Sequence, residues 1–302
     1  MELLDCLKDQ YHWNDIQFID NHLIETEHGE KRIRFWYDQE LLDWHTQWRD
    51  QCSITPCVLI DRMIRTKDNE TAIKWRDGWI TIHDELKDVF PQRGEEETWG
   101  LMLGTMVKKG KQFESRYIEK QYEKPNLRLI DDHHTRLNKR EQMLLAQCLT
   151  EAKERSKKAE QLRRSCKNEA VPLLDPIHSS QQAKRVYHVL VWTGTENPPE
   201  RSYRSYHSFL VKWLSKNGQA SLELLLDAME RTGGFTREQA LLLLAECLEP
   251  TELIPISLQF EQNADETAIR QAIEASLSEW EYSKRLVKVI SSWLDKKKKV
   301  LT

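Results

Sequence analysis

The sequence predicts an α+β protein in two parts: a small antiparallel-sheet lobe with one helix set between its strands, then a larger, mainly helical lobe. Three observations predict it. Before Val89, short β-prone runs alternate apolar and polar side chains and are punctuated by turn residues. Between those runs, Leu41, Leu42, Trp44, His45 and Trp48 follow helical spacing. After Glu97, segments of helical period dominate to the end of the chain. The expected organisation is a strand-rich lobe over 1–88, a linker over 89–97 rich in proline, glycine and acids, and a helical lobe over 98–302.

Each element has its own signal. Met1 to Trp13 suits a short leading helix. Ile16 to Ile24 and Lys31 to Trp36 flank a turn at Glu27-His28-Gly29-Glu30, and Arg32, Arg34 and Trp36 alternate with Ile33 and Phe35, as on a strand with one buried face. Asp38 is placed to cap the helix that follows. After the break at Ser53–Pro56, strands are expected over Cys57 to Arg65, Thr71 to Trp75 and Trp79 to His83. Trp99 to Met106 reads as a helix whose Gly100 and Gly104 permit close packing. Leu137 to Leu162 reads as a charged amphipathic helix with an apolar stripe through Leu144, Cys148, Ala152 and Ala159. Val186 to Trp192 is the one strong strand signal of the second half. Helices follow at Phe209–Leu214, Leu222–Met229, Glu238–Leu248 and Thr267–Leu294, with Thr236 and Gln239 forming a capping box.

Composition excludes some partners. The chain has 302 residues, 31% charged and 39% hydrophobic, with a net charge of -4. That balance gives no global attraction to nucleic acid or to an anionic membrane. No apolar run approaches the roughly 20 residues that span a bilayer, and the acids of MELLDCLKDQ do not suit a signal peptide. A cytoplasmic protein is expected, with no nucleic-acid partner and no membrane insertion. The six cysteines are scattered and read as structural thiols, with no metal site. The eleven tryptophans, many at helical spacing, read as core. Lys296-Lys297-Lys298-Lys299 reads as a solvated tail.

Four phrases carry a family resemblance. His28-Gly29-Glu30-Lys31-Arg32-Ile33-Arg34, Trp99-Gly100-Leu101-Met102-Leu103-Gly104, Ile177-His178 with the following Val186–Trp192 strand, and Leu225-Leu226-Asp227-Ala228-Met229-Glu230 with Thr236–Leu248 lie in the order of the kinase-like fold. The chain resembles the spore coat CotS/YsxE-like family of the aminoglycoside-phosphotransferase (protein-kinase-like) superfamily, in an apparently degenerate form. The resemblance implies a kinase-like bilobal fold.

Carried over residue by residue, the resemblance puts the phosphate-binding lysine at Arg34, with Glu40 as its carboxylate partner. The resemblance implies that the two are the remnant of a nucleotide pocket, against their ordinary reading as an exposed Arg–Glu pair. Guanidinium keeps the charge but not the compact shape of an ammonium. The histidine of the catalytic loop falls at His178 and its aspartate at Ser180, which cannot accept the proton of an attacking hydroxyl as a carboxylate does. The metal-binding asparagine falls at Ala183–Arg185, where there is none. The magnesium-binding aspartate falls in Glu196-Asn197-Pro198-Pro199-Glu200. Asp175 is the one candidate to rescue catalysis, against its ordinary reading as a turn acid before Pro176.

Three functions remain open. The preferred one is a catalytically degenerate kinase-like protein with a structural role, its partners other proteins, spore coat components among them, at the forespore surface or coat. No cofactor is expected for it. The alternative is a divergent ATP-dependent small-molecule phosphotransferase that uses Asp175, Glu196 or Glu200 with Mg-ATP. The third is a helical adaptor unrelated to kinases. Leu137–Leu162 is the candidate association surface, or else solvated exterior.

Overall fold

A computed structural model describes residues 2–114, 124–133 and 137–300. Contacts sort the chain into two compact units, Met1–Glu119 with Pro172–Arg201, and Lys120–Val171 with Ser202–Thr302. The expected linker at 89–97 falls inside the first unit.

In the first unit, helix α1 (Leu3–Tyr11) precedes β1 (Ile16–Phe18), β2 (Leu23–Thr26) and β3 (Gly29–Trp36). Helix α2 (Gln39–Cys52) follows, then β4 (Val58–Ile60), β5 (Ile73–Trp75) and β6 (Gly78–Asp84). Five strands form one antiparallel sheet in the order β1-β2-β3-β6-β5. The expected run Ile16–Ile24 is two strands, because Asp20 and the chain around it turn: the Ile19 and Asp20 amides both donate to the Leu23 carbonyl. Of the expected strand Cys57–Arg65, only Val58–Ile60 is ladder-paired, and it leaves the main sheet to pair in parallel with β8 (Val189–Trp192).

Period-two alternation divides the main sheet into two faces. Ile33 opposes Ile82 and Phe35 opposes Ile80. With Ile24 and Ile73 they pack on Leu7, Tyr11 and Trp13 in one apolar core. On the other face Arg32 opposes His83, Arg34 opposes Thr81 and Trp36 opposes Trp79. Helix α2 belongs to that second face. Asp38 caps it by accepting from the Leu41 amide at 2.9 Å, and the His45 ring lies 5.0 Å from that of Trp36.

Helix α3 (Glu96–Gly110) buries Trp99, Gly100, Met102, Leu103, Gly104, Met106 and Val107. The Val186–Trp192 signal is in fact a hairpin, β7 (Ala183–Val186) and β8, turning at Tyr187, whose φ of 54° is left-handed. The Arg185 Nε hydrogen bond to the Tyr187 carbonyl, 2.7 Å, holds that turn. The second sheet runs β4-β8-β7.

The second unit is helical: α4 (Leu127–His133), α5 (Lys139–Ser165), α6 (Arg204–Arg231), α7 (Arg237–Leu248), α8 (Ile254–Glu261) and α9 (Glu266–Val300). The buried stripe of α5 is Leu145, Leu149, Ala152 and Ala159, one position on from the expected Leu144 and Cys148 but as expected at Ala152 and Ala159. The helix faces α7, Leu253 of the turn before α8, and the α8–α9 residues Ile256, Phe260, Ile269 and Ile273, which sets the buried side. Only half of the expected capping box forms. Thr236 accepts from the Gln239 amide, but the Gln239 side chain turns inward to Tyr203, Glu169 and the Ala170 carbonyl. The lysine run is the last part of α9 rather than a tail: Lys296 pairs with Glu223, and Lys297 with Asp227 and Glu230. Nine of the eleven tryptophans are buried, so indole serves the core. Among the described residues, no helix is long and apolar enough to cross a membrane.

Candidate functional site

The polar face of the main sheet has one use for its charges. Asp61 leaves β4 with its amide bonded to the Trp192 carbonyl at 2.8 Å, which turns its carboxylate under β3 and β6. Its Oδ2 lies 3.1 Å from Arg32 Nη2 and 3.3 Å from Arg34 Nη2, and its Oδ1 lies 3.1 Å from His83 Nδ1. Burial pushes the Asp61 carboxyl up, but His83, Arg34 and Arg32 outweigh it and hold the group well below the usual carboxylate range. His83 Nε2 meets Thr81 Oγ1 at 2.9 Å, and that hydroxyl also accepts from Trp36 Nε1 at 2.9 Å. Burial drives the His83 pKa down to about 4, against the pull of Asp61, so the ring is neutral near pH 7.

Arg34 is 4% exposed and reaches the strand-to-loop segment after β8. Its Nη2 donates to the Gly194 carbonyl at 2.7 Å and its Nη1 to the Thr195 carbonyl at 3.1 Å. Glu196, half-exposed, places Oε1 3.3 Å from Arg34 Nε. Arg49, on the buried stripe of α2, donates to the Thr195 carbonyl at 2.8 Å and to the His45 carbonyl at 3.2 Å. Burial, then the nearness of Arg34, lowers its pKa to about 10, while Asp175 and Asp61 oppose the shift.

Asp175 is 1% exposed and faces the same segment. It accepts from the Thr195 amide at 2.9 Å and the Thr195 hydroxyl at 2.5 Å. Burial raises its pKa, and attraction to Arg49 and the Thr195 hydrogen bonds only partly oppose that. Gly194 passes between Arg49 and Asp175: a Cβ there would lie 2.8 Å from Arg49 Nη2 and 2.9 Å from Asp175 Oδ2. Asn197 completes the set. Its amide donates to Thr195 Oγ1 at 3.1 Å, its carbonyl lies 2.9 Å from His45 Nε2, and its side-chain amide lies 3.0 Å from His178 Nε2. A carbonyl only accepts, so the His45 ring proton sits on Nε2; burial, then Arg49, holds that histidine well below its ordinary pKa.

The structure thus gathers Arg34, Asp175, Glu196 and His178 around the loop at Gly194–Asn197. Glu40 lies elsewhere, exposed in the first turn of α2, while the carboxylates beside Arg34 are Asp61 and Glu196. Ser180 opens a single 3-10 turn, Ser180–Gln182, which Ser179 caps. His178 is exposed, and its amide donates to Gln182 Oε1 at 2.7 Å. Ala183–Arg185 is the first half of β7. Glu200 is buried and exchanges backbone hydrogen bonds with Leu174, both 2.8 Å. Among the described residues, no group of three or more histidine, cysteine or acidic side chains is arranged to hold a metal ion. Sequence reasoning missed Arg49, Asp61, His83 and Thr195. A signal existed for Arg49 and His45, polar residues that fall on the apolar stripe Leu42, His45, Trp48, Arg49, Cys52. No local signal marked Asp61.

Beside this cluster, Leu59, Ile60, Leu86, Val186, Val189 and Val191 line an apolar cavity of about 280 Å³, with Asp61 and Thr193 on its wall.

No protein-family model matches the chain, and no curated protein matches it. Solved structures do. The aminoglycoside phosphotransferase of Alicyclobacillus acidocaldarius subsp. acidocaldarius aligns with a TM-score of 0.65 at 10% identity, covering 98% of this chain and 97% of that one. Spectinomycin phosphotransferase APH(9)-Ia aligns with a TM-score of 0.49 at 12% identity over 96% and 97% of the two chains. The first likeness shows the fold: α+β and kinase-like, with an N-terminal antiparallel sheet carrying one helix between its strands and a mainly helical remainder.

Proposed function

We propose that this protein keeps a kinase-like fold as a scaffold and acts through protein contacts rather than by phosphoryl transfer. The observation that carries the reading is the engagement of Asp175 and of both Arg34 Nη groups inside the charged cluster. Phosphoryl transfer needs a carboxylate free to take the proton of the attacking hydroxyl, and cationic donors free to hold phosphate. Both Asp175 oxygens are engaged by Thr195, and the two Arg34 Nη groups are spent on Asp61 and two carbonyls, with Glu196 beside its Nε. In this reading Arg34 and Arg49 work as an internal clamp that fixes the loop at Gly194–Asn197 against β3 and α2. The partners are other proteins, and the family resemblance makes spore coat components the class to test, at the forespore surface.

One observation favours a second reading, a divergent phosphotransferase that binds Mg-ATP. The apolar cavity beside Asp61 is large enough for a planar heterocycle. Melting curves and calorimetry with Mg-ATP separate the two. The scaffold reading expects no saturable stabilisation and no phosphate transfer. Saturable stabilisation that Val191→Phe abolishes by filling the cavity, together with transfer to a small hydroxylated acceptor, would replace it with the second.

A further inference from the structure

Helix α6 is broken once. Gly218 has φ 84° and ψ 174°, outside the helical region, so a second helical segment starts at Gln219 and runs to Arg231. A helix start carries backbone N–H groups without intrahelical partners and the positive end of the helix dipole. Against this break lies a cavity of about 300 Å³, lined on α6 by Val211, Leu214, Ser215 and Gln219 and on α9 by Tyr282, Arg285, Lys288 and Val289. All eight residues belong to the helical unit.

The two walls have a common logic. Val211, Leu214 and Val289 make an apolar floor. Arg285 and Lys288, both exposed, stand one turn apart on α9. Neither has an acidic partner within 4.0 Å among the described residues; Arg285 only lies 5.9 Å from the Tyr282 ring centroid. The neighbouring cations do have partners: Lys284 pairs with Glu281, and Lys296 with Glu223. Two unpaired cations and a hydroxyl-bearing rim border one concave surface with an apolar floor, and Gln219 at the helix break lines it too. The acid nearest in sequence to the break, Glu223, is held by Lys296 and Gln219.

We propose that this groove binds a small organic anion with an apolar body. Arg285 and Lys288 take the carboxylate or phosphate head, and Val211, Leu214 and Val289 take the body. The volume sits at the lower end of small-ligand cavities, which fits a medium-chain or aryl acid. The proposal does not depend on how the charged cluster of the other unit is read.

The test uses anilinonaphthalene sulfonate, a fluorescent anion with an apolar body, displaced by octanoate, octyl phosphate, octanol or octylamine. Octanoate and octyl phosphate should displace the dye, their ranking naming the head group, whereas octanol and octylamine should not. The Arg285→Ala/Lys288→Ala double variant should weaken dye and octanoate by about tenfold or more, the loss of charge-assisted contacts. Leu214→Ala should weaken both with the charges intact, and Lys74→Ala, an exposed cation of the other unit, should change neither. Absence of dye and octanoate binding, displacement by octanol as strong as by octanoate, or unchanged affinity in a double variant that melts like the parent would each overturn the proposal.

Discussion

Asp175 receives both of its hydrogen bonds from Thr195, one from the amide and one from the hydroxyl. Twenty residues of chain, including the β7–β8 hairpin, separate the two. The pair therefore closes the hairpin back onto the segment that precedes it, and it engages an acid buried beside Arg49.

Thr195→Val keeps the amide bond and deletes the hydroxyl, which leaves one buried Asp175 oxygen and the Asn197 amide without a partner. We expect a loss of about 1–3 kcal/mol, read as a lower urea midpoint at unchanged slope. Thr195→Ser should cost less. Equal stability of the Val and Ser variants would show that the hydroxyl contributes nothing.

Arg34→Ala removes a buried guanidinium from Asp61, strips the Gly194 carbonyl of its donor and leaves the Thr195 carbonyl to Arg49 alone. Breaking one side of a buried ion cluster costs about 3–5 kcal/mol. Arg34→Lys should recover only part of this, because one ammonium cannot reproduce the planar fork that spans Asp61, Gly194 and Thr195. Full recovery by lysine in thermal melts would argue that charge alone matters.

Acid should destabilise the fold between about pH 6.5 and 4. The pKa of His207, buried against Ser283 Oγ at 3.0 Å, falls to about 4, chiefly through burial and then through Arg204. His83 also falls to about 4, and His45 shifts the same way. A folded-state pKa below the unfolded one means that the unfolded chain takes the proton first. The contribution is complete above about pH 6.5 and is lost as pH falls toward 4. Asp175, with its raised pKa, acts in the opposite sense: its share is present at low pH and lost as pH rises. Asp61 loses its share only below the ordinary carboxylate range. Glu246 and Glu279, raised chiefly by burial, act in the same sense as Asp175, so a single histidine variant isolates the histidine share. His207→Gln should remove about 2–3 kcal/mol of the stability difference between about pH 7 and pH 4.5. An unchanged pH profile in that variant would mean His207 is not buried neutral.

In the helical unit, Arg155 pairs with Glu252, both buried, and its guanidinium carbon lies 3.6 Å from the Trp280 ring centroid. Arg155→Ala alone should cost about 3–5 kcal/mol by leaving Glu252 buried without a counter-charge. The double variant Arg155→Met/Glu252→Leu should return most of that. If the double variant is less stable than the single, the pair itself is net stabilising.

The scaffold of the fold was legible because its signals are local. Alternation in Lys31–Trp36 marked a strand, and Asp38 with its helical stripe marked α2; both formed as expected. The turn at Tyr187 inside the Val186–Trp192 run was not legible, since an apolar β-prone run does not reveal a left-handed backbone position. The stripe of α5 was right at Ala152 and Ala159 but misplaced by one residue at Leu144 and Cys148, because which side of a charged helix is buried depends on the helices that face it. In the cluster, Arg34, Asp175 and Glu196 were found in sequence, but Glu40 was the wrong acid for Arg34. A side chain in the first turn of α2 points where the helix sends it, whereas Asp61 arrives from a strand paired in parallel with β8.

The sequence by itself determined an α+β chain with a strand-rich start, its helix cap and its indole-rich core. These follow from periodicity, capping and residue type, which act over a few neighbouring residues. Only the tertiary structure decided where the charges meet. Arg32 and Arg34 come from β3, Arg49 from α2, Asp61 from the end of β4, His83 from β6, and Asp175 and Thr195 from either side of the β7–β8 hairpin. Charges so far apart in the chain become partners because burial removes water. A buried charge must then find an opposite charge or a carbonyl within about 3 Å, and the folded chain alone fixes which one is there.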